Sequence, residues 1–315
     1  MSILLDEISG VQTIAIGGHI RPDGDCIGAC MGLYTYLAEQ YPDRSVTVYL
    51  EEIPKEFEYL KRDGAFQEKT DTPYDLFISL DCGAMDRLGD GEQVFKQAKR
   101  TLNIDHHISN ENFADVNHVE PQASSTSEVL CGLLDMDKIG ADAAQAFYTG
   151  IIHDTGVFKH TNTRKRTMQF AGELMEKGIP FGKIIDESFY MKTYKQLQIM
   201  GRCLLESVRI MDGRCIFSVV PKRVMQFYEA KPSDLSGVID ELRTTEGVEV
   251  AILLTEKDTV EYKVSMRSNK IVDVSKIATF FGGGGHIHAA GCEIKGSAFD
   301  VINNITEHIA KQLGE

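Results

Sequence analysis

Short apolar runs alternate with segments whose apolar residues recur every three or four positions along the first half of the chain. VQTIAIGG (11–18), SVTVYL (45–50), YDLFISL (74–80) and TLNI (101–104) are brief and nearly uncharged, the pattern of buried strands. Between them Ile27, Met31, Tyr34 and Leu37 keep helical spacing over 25–39, and 92–99, 127–134 and 142–152 also read as helices. Such alternation predicts an α/β domain with a largely parallel sheet. Ligands in such domains bind outside the carboxyl ends of the strands. His19 follows the first run, Asp81 the third, and Asp105, His106 and His107 the fourth, so all are expected at one edge.

The second half has a different texture. Residues 186–211 contain no proline and only Gly201, which predicts a long helical connector. RCIFSVV (214–220) reads as a strand, and 247–268 as a hairpin that places Val260, Tyr262, Val264 and Met266 on one face. Lys263, Ser265 and Arg267 then share the other face. A helix over DVSKIATFF (273–281) runs into GGGGHIHAAG (282–291), and an amphipathic stretch ends the chain. The expected organisation is therefore a first domain over 1–185, a connector over 186–211 and a smaller α/β domain over 212–315, in keeping with a length of 315 residues.

Composition narrows the class. With 43% hydrophobic and 25% charged residues, no repeat and no biased tract, the chain reads as ordinary globular protein. No apolar stretch nears the ~18 residues of a membrane span, and the three-residue apolar run near the amino terminus is too short for a secretory leader, so a cytoplasmic protein with no membrane partner is expected. Seven cysteines, an odd number without a CxxC pair, fit reduced thiols better than disulfides or a zinc knot. The net charge of −14 argues against a surface that grips long nucleic acid, including long duplex, because that grip needs Lys and Arg. A small phosphorylated ligand in a local pocket remains compatible with it.

Candidate chemistry lies just past the apolar runs. His19, Asp23 and Asp25 stand in GGHIRPDGDCIG, Asp81 in LFISLDCG, His106 in LNIDHHIS and Asp154 in GIIHDTGVF. Carboxylates and imidazoles are the usual ligands of divalent transition metals, and two such ions ~3.5–4 Å apart suit attack at phosphorus. Each residue alone has a plainer role: Asp23 and Asp25 as helix caps, Asp81 as a turn residue, His106 and His107 as polar loop residues, and Asp154 at a helix end. Four separate segments converging on one edge outweigh those roles. GGGGH (282–286) either breaks a helix or lets backbone N–H groups approach a phosphate, with His286 as an added donor. Arg267, on a polar strand face, offers a fork for the same phosphate.

These segments resemble the ordered motifs of the DHH phosphoesterase family, and GGGGHIHAAG resembles the signature of the DHHA1 domain that often follows. Within that family the chain looks most like the nanoRNase/pAp-phosphatase branch. The resemblance implies one metal on His19, Asp23 and Asp81, and a second on Asp25, Asp81, His106 and Asp154, with Asp81 bridging two manganese ions. It further implies Asp105 in a supporting position and His107 near the scissile phosphate as a donor or acid; an end phosphate would then be held by Arg267, Gly283, Gly284, Gly285 and His286. Substrates would be short oligonucleotides or small nucleotides, products nucleoside 5'-monophosphates, and the assembly a homodimer. The rival within the chemistry is a cyclic di-AMP or linear dinucleotide phosphodiesterase. A rival from another class is a catalytically silent nucleotide sensor, which the intact set of motif residues disfavours.

Overall fold

The β-branched runs of the first half form strands that are buried on both faces. A computed structural model describes residues 2–66 and 73–314, and its contacts divide the chain into two units, Met1–Met191 and Lys192–Glu315. The first unit contains, in order, α1 (Ile3–Glu7), β1 (Thr13–Gly17), α2 (Gly24–Gln40), β2 (Ser45–Tyr49), β3 (Leu76–Leu80), α3 (Gly91–Gln97), β4 (Thr101–Asp105), β5 (Val116–Val119), α4 (Thr126–Leu133), α5 (Ala141–Asp154), α6 (Lys165–Glu176) and α7 (Phe181–Ile185).

Its five strands run parallel in the order β2-β1-β3-β4-β5. Alternation along the strands decides which layer each side chain joins. Ile14, Ile16, Ile78, Leu80 and Ile104 pack with Ile27, Met31, Phe147 and Ile151 of α2 and α5. Ala15 and Phe77 point the other way, into a smaller cluster with Tyr49, Tyr74 and Phe95 of α3. Helices on both faces explain why the strands read as continuous apolar runs. The order reverses between β1 and β3, so their carboxyl ends flank a switch point, where doubly wound sheets bind ligands.

The second unit contains α8 (Tyr194–Leu205), β6 (Val208–Ile210), β7 (Cys215–Val220), α9 (Lys222–Phe227), α10 (Val238–Arg243), β8 (Val250–Asp258), β9 (Glu261–Ser268), α11 (Val274–Phe280), β10 (Gly284–His286), β11 (Ala289–Lys295) and α12 (Ala298–Leu313). Its mixed sheet has the order β10-β11-β9-β8-β7-β6, with β7 and β8 parallel and the other pairs antiparallel. Val264 and Met266 pack with α11 and α12 on one face, while Ala251, Leu253 and Ile216 pack with α8 and α10 on the other.

Two expectations need correction. The stretch 186–211 is not one helical connector: a π-turn over Asp186–Tyr190 gives way to extended backbone at Met191, and α8 begins afresh. The reason is local. Thr193 caps α8 in a reciprocal box with Gln196, a start signal that outweighs the absence of proline and the single glycine. The end of the stretch, Val208–Ile210, pairs with β7 as a strand. Val260 does not share the Val264 face, since it sits in the β8–β9 turn at φ 53° and is 55% exposed. Among the described residues no helix is long and apolar enough to cross a membrane.

Candidate functional site

At the switch point the chain turns sharply and leaves polar side chains facing one another. His19 follows β1 and is nearly buried; its Nδ1 lies 2.9 Å from the Ile20 carbonyl oxygen, which orients the ring. Its Nε2 points to Asp81 Oδ2 at 3.5 Å and to Asp23 Oδ1 at 3.8 Å. Asp81 follows β3 with φ 54°, a left-handed conformation that Asp tolerates better than most residues. Its other oxygen, Oδ1, lies 3.5 Å from His106 Nε2 and accepts the Thr126 hydroxyl at 3.0 Å. The two oxygens of one buried carboxylate thus face imidazoles from two different strand ends.

Asp25 sits in the first turn of α2 and is fully buried. It accepts the backbone N–H groups of Thr126 at 2.6 Å and Ser127 at 3.0 Å, the orphan donors at the positive end of α4. Gly150 of α5 makes room for it: a Cβ there would stand 2.5 Å from Asp25 Oδ1 and 2.0 Å from the Ser127 hydroxyl. Asp154 ends α5 with its Oδ2 3.1 Å from His106 Nε2. Asp25, His106 and Asp154 form one candidate ligand group, Asp81, His106 and His107 a second, and His19, Cys26 and Asp81 a third.

Electrostatics set this cluster apart from ordinary polar surface. Burial pushes the Asp25 carboxyl well up, and the charges of Asp81 and Asp154 push it further. Asp154 is raised by burial in the same way, against the pull of His106. Burial alone would lower His106, but the Asp154 hydrogen bond and the charges of Asp25 and Asp81 raise it to about 10. His19 is likewise held well above its ordinary range, because Asp23 and Asp81 outweigh burial. Carboxylates packed so closely resist ionising together unless a cation lies among them. The donor set, hard carboxylate oxygens with imidazole nitrogens, fits divalent manganese, iron, cobalt or zinc.

Asp105, at the end of β4, is spent on neighbours. Its Oδ1 accepts the His106 backbone N–H at 2.7 Å and lies 2.7 Å from His107 Nδ1, while Oδ2 accepts from the Asn110 amide. His107 is therefore held by one ring nitrogen, its side chain 44% exposed. The hydrogen bond to Asp105 raises its pKa over the opposing effect of burial. Asp23 caps α2, its Oδ1 accepting from the N–H groups of Asp25 and Cys26.

The sequence reading missed several contributors. Thr126 and Ser127 support Asp81 and Asp25, and Ser125 with Glu128 has the S-x-x-E spacing that could have signalled a helix start there. Cys26, one of the seven cysteines read as reduced thiols, lies within the His19 and Asp81 group while fully buried. After Asp154 comes a turn in which Gly156, Val157 and Phe158 all have positive φ. Thr155 anchors it, its hydroxyl accepting from the Phe158 N–H and its carbonyl from those of Lys159 and His160. Such strain in a β-branched residue beside a candidate ligand fits a functional constraint.

In the second unit, Arg267 and His286 both stand opposite Ala289 in the sheet register, Arg267 from β9 and His286 from β10. Paired residues share a face, so the guanidinium and the imidazole flank one small side chain. Arg267 Nε lies 3.8 Å from Asp240 Oδ1 of α10. The glycines before His286 divide by cause. A Cβ on Gly283 would meet the Gly291 carbonyl oxygen at 2.2 Å, and one on Gly285, at φ 144°, would meet that of Ala289 at 2.5 Å. Gly284 has open space around its missing Cβ. The last three residues of the GGGGH run, Gly284 to His286, form a strand held by β11.

The chain belongs to the DHH phosphoesterase family: the DHH N-terminal domain pattern matches residues 13–151, and the DHHA1 domain pattern matches residues 213–314. Its relatives include the bifunctional oligoribonuclease and PAP phosphatase NrnA of Thermus thermophilus, 30% identical over 99% of this chain and 94% of that protein. The Bacillus subtilis protein of the same name is 26% identical over 92% of each. A solved structure of an exopolyphosphatase-related protein from Bacteroides fragilis aligns with a TM-score of 0.83 at 25% identity, covering 98% of this chain and 94% of that one.

Proposed function

We propose that the protein is a two-metal phosphoesterase that hydrolyses short oligoribonucleotides to nucleoside 5'-monophosphates and converts 3'-phosphoadenosine 5'-phosphate to AMP. One observation carries the reading: the oxygens of Asp81 face His19 on one side and His106 on the other, each at 3.5 Å. That arrangement supports Asp81 as a bridge between one ion on His19 and Asp23 and another on Asp25, His106 and Asp154. Two divalent cations held there, manganese in this reading, would supply Lewis acidity and activate water at neutral pH.

The chain's own residues do the rest. Asp105 fixes His107 by accepting from its Nδ1 and favours the imidazolium form, whose Nε2–H can donate to a phosphate oxygen or leaving group. Thr126 and the α4 N–H groups hold Asp81 and Asp25 in place, which supports the ligands as outer partners do in metal sites. Arg267, His286 and the Gly283–Gly285 backbone hold the end phosphate of the substrate. Seven unpaired, buried cysteines support action in a reducing compartment, the cytoplasm.

The test is a side-by-side panel of 3'-phosphoadenosine 5'-phosphate, a dinucleotide, a five-mer, long RNA and cyclic di-AMP in Mn²⁺. Turnover of the first three above the last two is expected. Cleavage confined to cyclic di-AMP or its linear product would replace this reading with a signalling phosphodiesterase.

A further inference from the structure

A cavity of about 200 Å³ opens beside His19, where Val48, Tyr49 and Leu50 at the end of β2 face Leu88 before α3. Its deeper lining is apolar, since Val48, Tyr49 and Leu88 are all at least nine-tenths buried. Phe66, 44% exposed, stands with the exposed carboxylates Glu51 and Asp90 at its edge. We propose that this cavity is a nucleobase subsite that selects bases carrying an exocyclic amine, an inference that rests on the phosphoesterase reading above.

Size, charge and position converge on that ligand. At ~30 Å³ per water the cavity holds only about six or seven waters, room for a ring system and less than the ~300 Å³ at which pockets for whole drug-sized ligands begin. Among the described residues the lining carries the carboxylates of Glu51 and Asp90 and no Lys or Arg, and Glu51 gives an exocyclic amine an acceptor. Adenine, cytosine and guanine present such an amine and uracil does not. Glu51 is held in place by the Arg21 N–H, 2.7 Å from its Oε2. The exposed ring of Phe66 offers a stacking face, which every base can use. His19 lines the cavity and also turns its Nε2 to Asp81, so a base seated here is joined by its own sugar to a phosphate at the carboxylate cluster.

The chain has no tryptophan, so Phe66→Trp introduces a single indole at the cavity edge. The full-length variant in Mn²⁺ is titrated with adenosine, cytidine, uridine and ribose 5-phosphate while indole fluorescence is followed. Adenosine and cytidine are expected to give saturable changes, with uridine at least about tenfold weaker, the effect of one lost hydrogen bond to a charged group. Glu51→Gln in that background should narrow the gap. In the otherwise native chain, Phe66→Ala should raise KM for adenosine-ended dinucleotides about tenfold with kcat unchanged, since stacking is lost equally in ground and transition states. Equal binding of uridine, displacement by ribose 5-phosphate, no saturation with any nucleoside, or an unchanged KM would each overturn the subsite. Failure of the two ideas is distinguishable. Hydrolysis by the native chain with a silent reporter removes the subsite alone, whereas saturable binding without hydrolysis removes the phosphoesterase reading and leaves a base-binding cavity.

Discussion

Asp81→Asn tests the centre at the residue on which both halves depend. Asparagine matches aspartate in volume and tolerates φ 54°, and its amide oxygen can still accept the Thr126 hydroxyl. The substitution therefore removes a charge and little else. In metal-free protein it should change the melting temperature little, because Asp25 and Asp154 lose a buried like-charged neighbour while His19 and His106 lose a carboxylate partner. The metal-bound state should respond strongly. An ion at a hundred times its Kd stabilises a fold by about 2.7 kcal/mol, a rise of roughly 5–10 °C for a unit of this size. The variant should lose at least half of that rise, since each ion forfeits an anionic ligand. If the lost ligand removes ~3–4 kcal/mol of charge stabilisation in the transition state, kcat/KM falls about 10²- to 10³-fold. Thermal melts with and without Mn²⁺, metal content of the dialysed protein, and phosphate release from 3'-phosphoadenosine 5'-phosphate measure the three quantities. An unchanged Mn²⁺-induced rise together with activity within about tenfold of the parent would refute the bridging argument.

Other expectations address the remaining roles. His107→Ala should lower kcat by about 10²-fold with a smaller effect on KM, as for a donor acting in the transition state, and steady-state kinetics on a dinucleotide would reveal a pure KM effect if the role is wrong. Arg267→Ala should raise KM for phosphate-ended substrates by about tenfold or more at unchanged metal content, the loss of one charge-assisted contact. Gly285→Ala should lower the melting temperature, because φ 144° and the Ala289 carbonyl leave no place for a Cβ, whereas Gly284→Ala should leave stability intact and weaken substrate binding. Equal melting temperatures would refute that division. With a net charge of −14, efficiency on 5'-labelled RNA at fixed salt should peak at about two to five nucleotides and fall for longer chains; rising kcat/KM with length would favour a processive exonuclease.

The parallel sheet was legible because β1 to β4 are buried on both faces and therefore largely apolar. The positions of His19, Asp81 and His106 at one edge followed from strand polarity alone. Pairings made at long range were not legible. Thr126 meets Asp25 from 101 residues away, and nothing in the run SSTSE indicates which carboxylate its helix start will receive. β5 is only half-buried at the sheet edge and includes Asn117 and His118, so its apolar signal is too weak to read. β10 consists of two glycines and a histidine, residues of poor strand propensity, and exists because β11 pairs with it. The break before α8 is written in the sequence as Thr193 and Gln196, a capping box that starts a new helix inside a stretch whose lack of proline reads as continuous.

The plain structural roles assigned to single carboxylates were correct in kind, and they do not compete with ligation. A carboxylate has two oxygens and about four acceptor directions, so one can serve the backbone while another faces a cation. Asp23 caps α2 through Oδ1 alone, and among the described residues no protein donor is recorded on its Oδ2. Asp81 occupies a left-handed turn, as a turn residue would, yet presents both oxygens to imidazoles. Asp25 accepts one N–H on each oxygen and keeps a direction on each. Asp105 differs: its two oxygens already take the His106 N–H, the His107 ring and the Asn110 amide. Hydrogen bonds already made, more than residue type, thus separate the carboxylates suited to hold an ion from the one that positions His107. By the same measure Asp105→Asn should disturb the orientation of His107, lowering kcat while leaving metal content near that of the parent; loss of bound metal equal to that in Asp81→Asn would place Asp105 among the ligands instead.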